Sequence, residues 1–320
     1  MLYRLLKIPA AISFWMYCRQ LRTNNKAMFA AKGPLLIACN HPNSFLDAII
    51  ISSLFKRPVY SLARGDAFKN KWVGALLRSL HMLPVYRTSE GVENMEHNYR
   101  TFSECKEIFK QDGIVLIFSE GRCINEWHLR PLMKGTARLA LSSWQEGIDL
   151  AVLPTGINYQ SFSVFGKNIR LNFGSYITQN EVVRIDGFGK SIISLNQLLQ
   201  SQLEPLVYEI DKTDKVGLQK KFRVRISATK KIILALPAAV GFLIHWPLYY
   251  PLKKIALKYG GTNDHFDSIL IGLLFILYPV FLIAASILIF CLTASWLSLL
   301  VFLLLPFTAW AFVQVKNQFD

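Results

Sequence analysis

His41 and Asp47 are the two residues whose types and spacing most directly suggest chemistry in this sequence. They belong to the segment Asn-His-Pro-Asn-Ser-Phe-Leu-Asp at residues 40–47, which follows the apolar run Leu35–Cys39. A histidine side chain can accept a proton near neutral pH. A carboxylate close to it can fix the tautomer of the ring and stabilise the imidazolium that forms. The pair is therefore predicted to activate a hydroxyl group for nucleophilic attack.

Asp47 also has a purely structural interpretation. The residues from Ser44 to Asp47 fit a capping box, with Ser44 at the N-cap of a helix and Asp47 at the third helical position. Capping occupies only one oxygen of a carboxylate, so the catalytic and structural roles of Asp47 can coexist.

A second chemical segment is Phe-Ser-Glu-Gly-Arg-Cys at residues 118–123, which again ends a strand-like run. It offers a carboxylate in Glu120, a flexible backbone at Gly121 and, in Arg122, a guanidinium suited to bidentate phosphate recognition. Lys134 and other cations follow downstream. The alternative is a solvated basic turn, and this segment alone favours that alternative.

Short apolar runs alternate with helical patterns through the middle of the chain and must position these residues. The predicted strands are Leu35–Cys39, Val59–Ala63, Met82–Tyr86, Ile114–Phe118, Ala151–Asn158 and Ile169–Phe173. The predicted helices are Phe45–Phe55, Asn70–Leu80, Val92–Gln111, Gly135–Gln145 and Ser194–Asp211. Such alternation indicates an α/β domain, with a mixed or mostly parallel sheet flanked by helices. Ligands of these sheets usually lie beyond the carboxyl ends of the strands, where both segments fall.

Two further segments complete a recognisable set. The run Met82–Tyr86 leads to Arg87, and Pro154 interrupts the run Ala151–Asn158. Taken together and in order, the four segments resemble the blocks of the glycerolipid acyltransferase family, which includes lysophosphatidate and glycerol-3-phosphate acyltransferases. The resemblance covers about residues 30–225.

The resemblance assigns roles to individual residues. His41 and Asp47 match the catalytic His-(x)n-Asp motif, Arg87 the arginine of the second block and Pro154 the proline of the fourth. Glu120, Gly121 and Arg122 match the Phe-Pro-Glu-Gly block, which binds the phosphate of the acceptor. The predicted substrate-binding residues are therefore Arg87, Glu120, Gly121, Arg122 and Lys134.

The implied reaction is transfer of a fatty-acyl chain from acyl-CoA or acyl carrier protein to a hydroxyl of glycerol-3-phosphate or a lysophospholipid, as in phospholipid biosynthesis. The first candidate acceptor is 1-acylglycerol-3-phosphate. Neither a cofactor nor a metal is expected, and the expected partners are membrane lipids, the acyl thioester and a phosphorylated lipid, not nucleic acid.

Three departures from the family pattern keep alternatives open. Five residues separate His41 from Asp47 where the family usually has four, although this His-Pro-Asn-x-x-x-Asp form resembles a subgroup with a hydrophobic C-terminal tail. Ser119 replaces the family proline, and Cys123 follows the block. The acceptor could therefore be an aminoacyl lysolipid. A membrane esterase or phospholipase is a further alternative, although the sequence has no G-x-S-x-G elbow. The last is a non-catalytic lipid-binding protein.

Composition indicates a membrane protein. Hydrophobic residues make up 52% of the chain and charged residues 18%, against about 25% charged in soluble domains. The net charge of +15 favours anionic phospholipid as a partner, because no nucleic-acid-binding motif accompanies it. The five cysteines are scattered, which argues against a disulfide framework or a zinc site.

The sequence divides into three regions. Residues 1–26 are predicted to form an interfacial amphipathic helix, with a core-covering helix as an equal alternative; residues 27–225 form the acyltransferase domain and residues 226–320 a membrane tail. Within the tail, residues 268–290 and 294–313 are each close to the ~20 residues that span a bilayer, and they predict a transmembrane hairpin. Residues 232–250 are predicted to be re-entrant or interfacial, since spanning would place Lys253 and Lys254 opposite the basic segment Asp211–Lys231. The catalytic domain is then expected on the cytoplasmic side.

Overall fold

Seven strands form one sheet in the computed structural model of the chain, which describes residues 1–86, 95–182 and 187–319. The strands are β1 (Cys18–Thr23), β2 (Leu35–Cys39), β3 (Val59–Arg64), β4 (Met82–Val85), β5 (Ile114–Phe118), β6 (Ala151–Tyr159) and β7 (Lys167–Phe173). Their order across the sheet is β1-β7-β6-β2-β5-β3-β4. Every pairing is parallel except that of β6 with β7. The predicted mixed, mostly parallel sheet is confirmed.

The helices of the described residues cover both faces of this sheet. They are α1 (Leu2–Tyr17), α2 (Ser44–Leu54), α3 (Lys71–Ser79), α4 (Met95–Lys110), α5 (Gly135–Gln145), α6 (Phe188–Leu203), α7 (Lys215–Phe222), α8 (Ala228–Gly260), α9 (Phe266–Thr293) and α10 (Val301–Val315). Helices α1 and α2 share one apolar core with the end of α8 and the start of α9. Helices α4, α5 and α6 form a second core on the opposite face. The central strands β2 and β5 contact both cores, which explains their continuous apolar sequences.

The N-terminal segment differs from its prediction. Helix α1 ends at Tyr17, and the next residues form β1, which pairs with β7 at the edge of the sheet. A single helix over residues 1–26 is therefore wrong. The guanidinium of Arg19, which lies within the segment predicted to be interfacial, donates to the carbonyls of Val313 and Lys316 inside the protein. Helix α1 itself buries Tyr3 and Phe14 in the protein, and it exposes another apolar stripe with members Leu5, Ile8, Ile12 and Trp15.

Helix α6 lies earlier in the chain than predicted. It ends at Leu203 and not at Asp211. Pro205 follows two residues later, and the steric demand of a proline on the preceding residue disfavours further helix.

Over residues 226–319, the tail contains three helical stretches long and apolar enough to cross a membrane, namely Ala228–Gly260, Phe266–Thr293 and Trp296–Val315. The last two coincide with the predicted hairpin. The first is one continuous helix of 33 residues despite three internal prolines. A re-entrant segment needs a break at which the chain turns back, and residues 232–250 contain none, so that form of the prediction is wrong.

Candidate active site

The candidate site lies at the edge of the sheet where β2 and β5 end side by side. Cys39, the last residue of β2, is in register with Phe118, the last residue of β5. His41 and Glu120 each follow two residues beyond these ends, so the parallel register brings them together. The backbone N–H of His41 donates to Oε2 of Glu120 over 2.7 Å. The two chemical segments of the sequence therefore form one site.

The His41 ring is fixed on two sides. Its Nδ1 lies 2.8 Å from Oδ2 of Asp47, and the ring stacks on Phe118 with centroids 3.9 Å apart. The side chain is 18% exposed. Among the described residues Nε2 has no hydrogen-bond partner. A proton on Nδ1 donates to Asp47 and leaves a lone pair on Nε2, which is the arrangement that a general base requires.

Asp47 is fully buried and uses both carboxylate oxygens. Besides His41, Oδ2 accepts the backbone N–H of Asn43 over 2.9 Å, and Oδ1 accepts the hydroxyl of Tyr159 over 2.6 Å. The N-cap of α2 is Asn43, so the prediction of Ser44 as N-cap is wrong by one residue. Asp47 nevertheless contacts both His41 and the N-cap backbone, so its position is compatible with the predicted double role, and its catalytic role stays a prediction.

The wider spacing between His41 and Asp47 is accommodated by the backbone of Ser44. This residue has φ +50°, a left-handed conformation that is uncommon for a residue other than glycine. Five intervening residues therefore still bring the carboxylate within hydrogen-bonding distance of Nδ1.

Tyr159 is a site residue that sequence reasoning missed. It is the last residue of β6 and is completely buried. Burial and then the neighbouring Asp47 raise the pKa of the Tyr159 hydroxyl well above its ordinary value, so it stays protonated and donates. The available signal was its place directly after the fourth sequence block, because a buried tyrosine hydroxyl usually requires a partner.

Both carboxylate oxygens of Glu120 accept hydrogen bonds from groups of the protein. Its Oε1 accepts the backbone N–H of Arg130 over 2.9 Å, and Oε2 accepts the Arg130 guanidinium over 2.8 Å as well as the His41 N–H. The carboxylate is buried. Glu120 therefore fixes the backbone of His41, and its contact with a substrate stays a prediction.

The remaining predicted binding residues differ in position. Gly121 has φ +72°, and a Cβ there would lie 2.8 Å from Cγ of Met133, so the turn requires glycine. Arg122 and Lys134 have exposed side chains that solvent or a ligand can reach. Arg87 lies outside the described residues.

The two departures at residues 119 and 123 have internal partners. The Ser119 hydroxyl is buried and lies 3.0 Å from that of Thr136. The Ser44 backbone N–H donates to the sulfur of Cys123 over 2.8 Å. Burial, reinforced by Asp47, raises the pKa of the Cys123 thiol, which keeps it neutral. Contacts inside the protein thus account for both substitutions.

Within residues 1–86, 95–182 and 187–319, no three His, Cys, Asp or Glu side chains converge in a way that could hold a metal ion.

Comparisons with known proteins find similarity to acyltransferases. Residues 20–158 match the family model described as Acyltransferase. Over 121 residues the chain is 26% identical to the 1-acyl-sn-glycerol-3-phosphate acyltransferase of Bacillus subtilis (strain 168), covering 38% of this chain and 56% of that relative. The chain thus matches little more than half the length of this relative. The crystal structure of the 1-acyl-sn-glycerophosphate (LPA) acyltransferase from Thermotoga maritima aligns with a TM-score of 0.46 and 14% identity, over 70% of this chain and 81% of that chain.

Proposed function

From the match of residues 20–158 to the Acyltransferase family model, we propose that this chain is a glycerolipid acyltransferase, which transfers a fatty-acyl group from a thioester to the free hydroxyl of 1-acylglycerol-3-phosphate. The observation that carries the proposal is the contact of His41 with Asp47 at the open edge of the sheet, with Nε2 left without a partner among the described residues. The relative from Bacillus subtilis carries this acceptor in its name.

The proposed step is a direct transfer. Nε2 of His41 takes the proton of the acceptor hydroxyl as its oxygen attacks the thioester carbonyl carbon. The tetrahedral intermediate then expels the thiolate, which takes the proton back from the imidazolium as the C–S bond breaks. Asp47 stabilises that imidazolium, and the Tyr159 hydroxyl holds Asp47 in place. The thiol released is CoA or acyl carrier protein, and His41 ends the cycle in its starting state.

Exposed cations beside the catalytic pair support a phosphorylated acceptor. Arg122 follows the Gly121 turn, and Lys134 precedes α5. Arg130 is less available, because its guanidinium already pairs with Glu120 and Glu126. We assign the acceptor phosphate to Arg122 and Lys134, with Arg87 as a further predicted ligand.

The contacts of the tail support a membrane arrangement in which α9 and the stretch Trp296–Val315 cross as a hairpin. Both ends of this hairpin reach the catalytic domain, since Phe266 is buried in its core and Arg19 binds the carbonyl of Lys316. Helix α8 also contacts the domain near both of its ends. Near its start, Lys230 donates to the side chain of Gln314, which in turn donates to the carbonyl of Arg19. Near its end, Ala256 is buried in the apolar core of the domain. We propose that α8 lies along the bilayer surface and that the domain faces the cytoplasm.

The decisive assay is acyl transfer by the purified protein in lipid. Acyl-CoA and acyl carrier protein thioesters are each offered with 1-acylglycerol-3-phosphate, glycerol-3-phosphate, an aminoacyl lysolipid or no acceptor, and the products are identified by mass spectrometry. We expect diacylated product from 1-acylglycerol-3-phosphate. In His41→Ala we expect the rate of acyl transfer to fall by about 10²–10⁴-fold or more, the contribution typical of a general base. Full activity of that variant, or hydrolysis without transfer, would refute the proposal.

The acceptor site is tested separately. Arg122→Ala is expected to raise the KM for the phosphorylated acceptor and to leave kcat nearly unchanged, because the contact exists in both ground and transition states. Arg100→Ala, which removes an exposed guanidinium on α4, is the matched control and should change neither constant. An unchanged KM in Arg122→Ala would remove Arg122 from the acceptor site.

A further inference from the structure

Asp267 carries the only charge between Phe266 and Phe312, and it is completely buried at the beginning of α9. Its carboxylate does not face lipid. Oδ1 accepts the Tyr17 hydroxyl, and Oδ2 accepts both the Lys167 ammonium and the Asn43 side-chain amide, the latter over 2.7 Å. The first turn of a hydrophobic helix is thus bound to three polar groups of the catalytic domain.

Asn43 connects this carboxylate to the catalytic pair. It belongs to the same segment as His41 and is completely buried. Its side-chain amide donates to Asp267, whereas its backbone N–H donates to Oδ2 of Asp47, the oxygen that also faces His41. Asp267 is therefore two hydrogen bonds away from the carboxylate that orients the base.

Two neighbouring contacts bind the same turn to both catalytic segments. Nδ1 of His265 lies 2.6 Å from the hydroxyl of Ser44, the residue with the left-handed backbone. The carboxylate of Asp264 accepts the backbone N–H of Asn125, two residues beyond Cys123. The residues that begin α9 thus contact the loops after both β2 and β5.

The burial of charge at this point calls for an explanation beyond packing. Lys167 and Asp267 are both fully buried. Burial lowers the pKa of Lys167, whereas the adjacent carboxylate opposes that change. A buried ion pair contributes little net stability compared with apolar residues of similar size. What an apolar pair could not provide is an acceptor for the Asn43 amide.

We propose that Asp267 is a positioning residue for the reaction, which makes the first turn of the membrane hairpin part of the active-site framework. It holds Asn43 so that the Asn43 backbone fixes Asp47 against His41. The membrane tail then acts in the chemical step as well as in attachment to lipid. This inference rests on the proposed acyl transfer.

The test separates the hydrogen bond to Asn43 from the buried charge. Both double variants Lys167→Met with Asp267→Asn and Lys167→Met with Asp267→Leu remove the ion pair, which avoids leaving one charge uncompensated. Only the asparagine variant keeps an oxygen that can accept the Asn43 amide. Ser268→Ala is the control on the same turn, since its buried hydroxyl has no hydrogen-bond partner among the described residues.

Two readouts are taken from each variant in lipid. One is the kcat and KM of acyl transfer, and the other is hydrogen–deuterium exchange of the peptide covering residues 40–48, which does not require activity. We expect the leucine variant to lose kcat on the order of 100-fold, as for misplaced catalytic groups, with little change in KM and faster exchange. The asparagine variant should recover most of kcat and the slow exchange, and Ser268→Ala should match the parent protein.

The outcomes distinguish the two proposals. If the leucine and asparagine variants agree in kcat and in exchange, Asp267 does not position the site and the inference fails while acyl transfer stands. If the parent protein transfers no acyl group to any acceptor, the proposed function fails, and the exchange comparison still decides whether Asp267 holds residues 40–48.

Discussion

The Tyr159 hydroxyl provides the sharpest test of how the catalytic pair is held. Tyr159→Phe removes one oxygen from a completely buried side chain and leaves the ring in place. Oδ1 of Asp47 then loses its donor at 2.6 Å, while Oδ2 keeps the Asn43 N–H and His41. The change is therefore confined to one charge-assisted hydrogen bond.

The expected loss of unfolding free energy follows from the strength of that hydrogen bond. Hydrogen bonds to charged groups contribute about 1.5–3 kcal/mol, and we expect a loss of unfolding free energy in that range. The bond is present in the ground state and the transition state alike, so only the part that orients Asp47 should affect catalysis. A tenfold fall in kcat corresponds to about 1.4 kcal/mol, and we expect a fall of about that size with an unchanged KM.

The assay combines steady-state acyl transfer with thermal unfolding in the same lipid mixture. Tyr60→Phe is the matched control, because the Tyr60 ring stacks on His81 and its hydroxyl has no hydrogen-bond partner in the described parts of the chain. It should change the unfolding free energy by no more than about 0.5 kcal/mol. If Tyr159→Phe behaves like Tyr60→Phe in both measurements, the hydroxyl does not bind Asp47 and the reasoning is refuted.

Three further predictions concern the second catalytic segment. Glu120→Gln should lower the unfolding free energy by about 3 kcal/mol, the lower end of the range for breaking a buried ion pair, because Glu126 still contacts Arg130 at 3.3 Å. Thermal unfolding measures this loss, and a change below about 1 kcal/mol would contradict the prediction. Gly121→Ala should lower the unfolding free energy by more than the roughly 1–2 kcal/mol of left-handed backbone strain, since its Cβ also meets Met133. Gly147→Ala is the control for the strain alone, because Gly147 has φ +76° and a Cβ there would have nothing within 4 Å. Equal losses of unfolding free energy in the two variants would exclude the contact with Met133. The Cys123 thiol should be alkylated far more slowly at pH 8 than the same cysteine in unfolded protein, because its raised pKa keeps it protonated until well above that pH. Site-resolved mass spectrometry measures the two alkylation rates, and equal rates would contradict the burial of the thiol.

The parts of the fold that were predictable are those that local sequence determines. Strands β2 and β5 were predicted at their observed bounds, because strands buried on both faces require continuous apolar runs. Strand β1 was missed, since Cys18–Thr23 is polar and basic and becomes a strand only by pairing with β7. The predicted end of α6 is wrong because Pro205, which disfavours helix at the residue before it, lies inside the predicted range.

The residues of the candidate site also differ in whether local sequence predicts them. His41 and Asp47 were found because both lie in one short segment, and their contact is confirmed by the geometry. Tyr159 and Asp267 reach that segment from 112 and 224 residues away, through Asp47 and Asn43. Periodicity and spacing carry no information about such pairings, because they arise from tertiary packing.

The contact between β1 and the end of α10 has a consequence for the order of assembly during synthesis. Arg19 donates to the carbonyls of Val313 and Lys316, and the Gln314 amide donates back to the carbonyl of Arg19. These partners are separated by almost the entire chain, so their contacts cannot form until the helices between them have left the ribosome. The edge strand is synthesised 294 residues or more before these partners and must wait, unsatisfied on that side, until α10 has been made. Closure of this edge is therefore expected to be among the last events of folding, after the central parallel strands have paired.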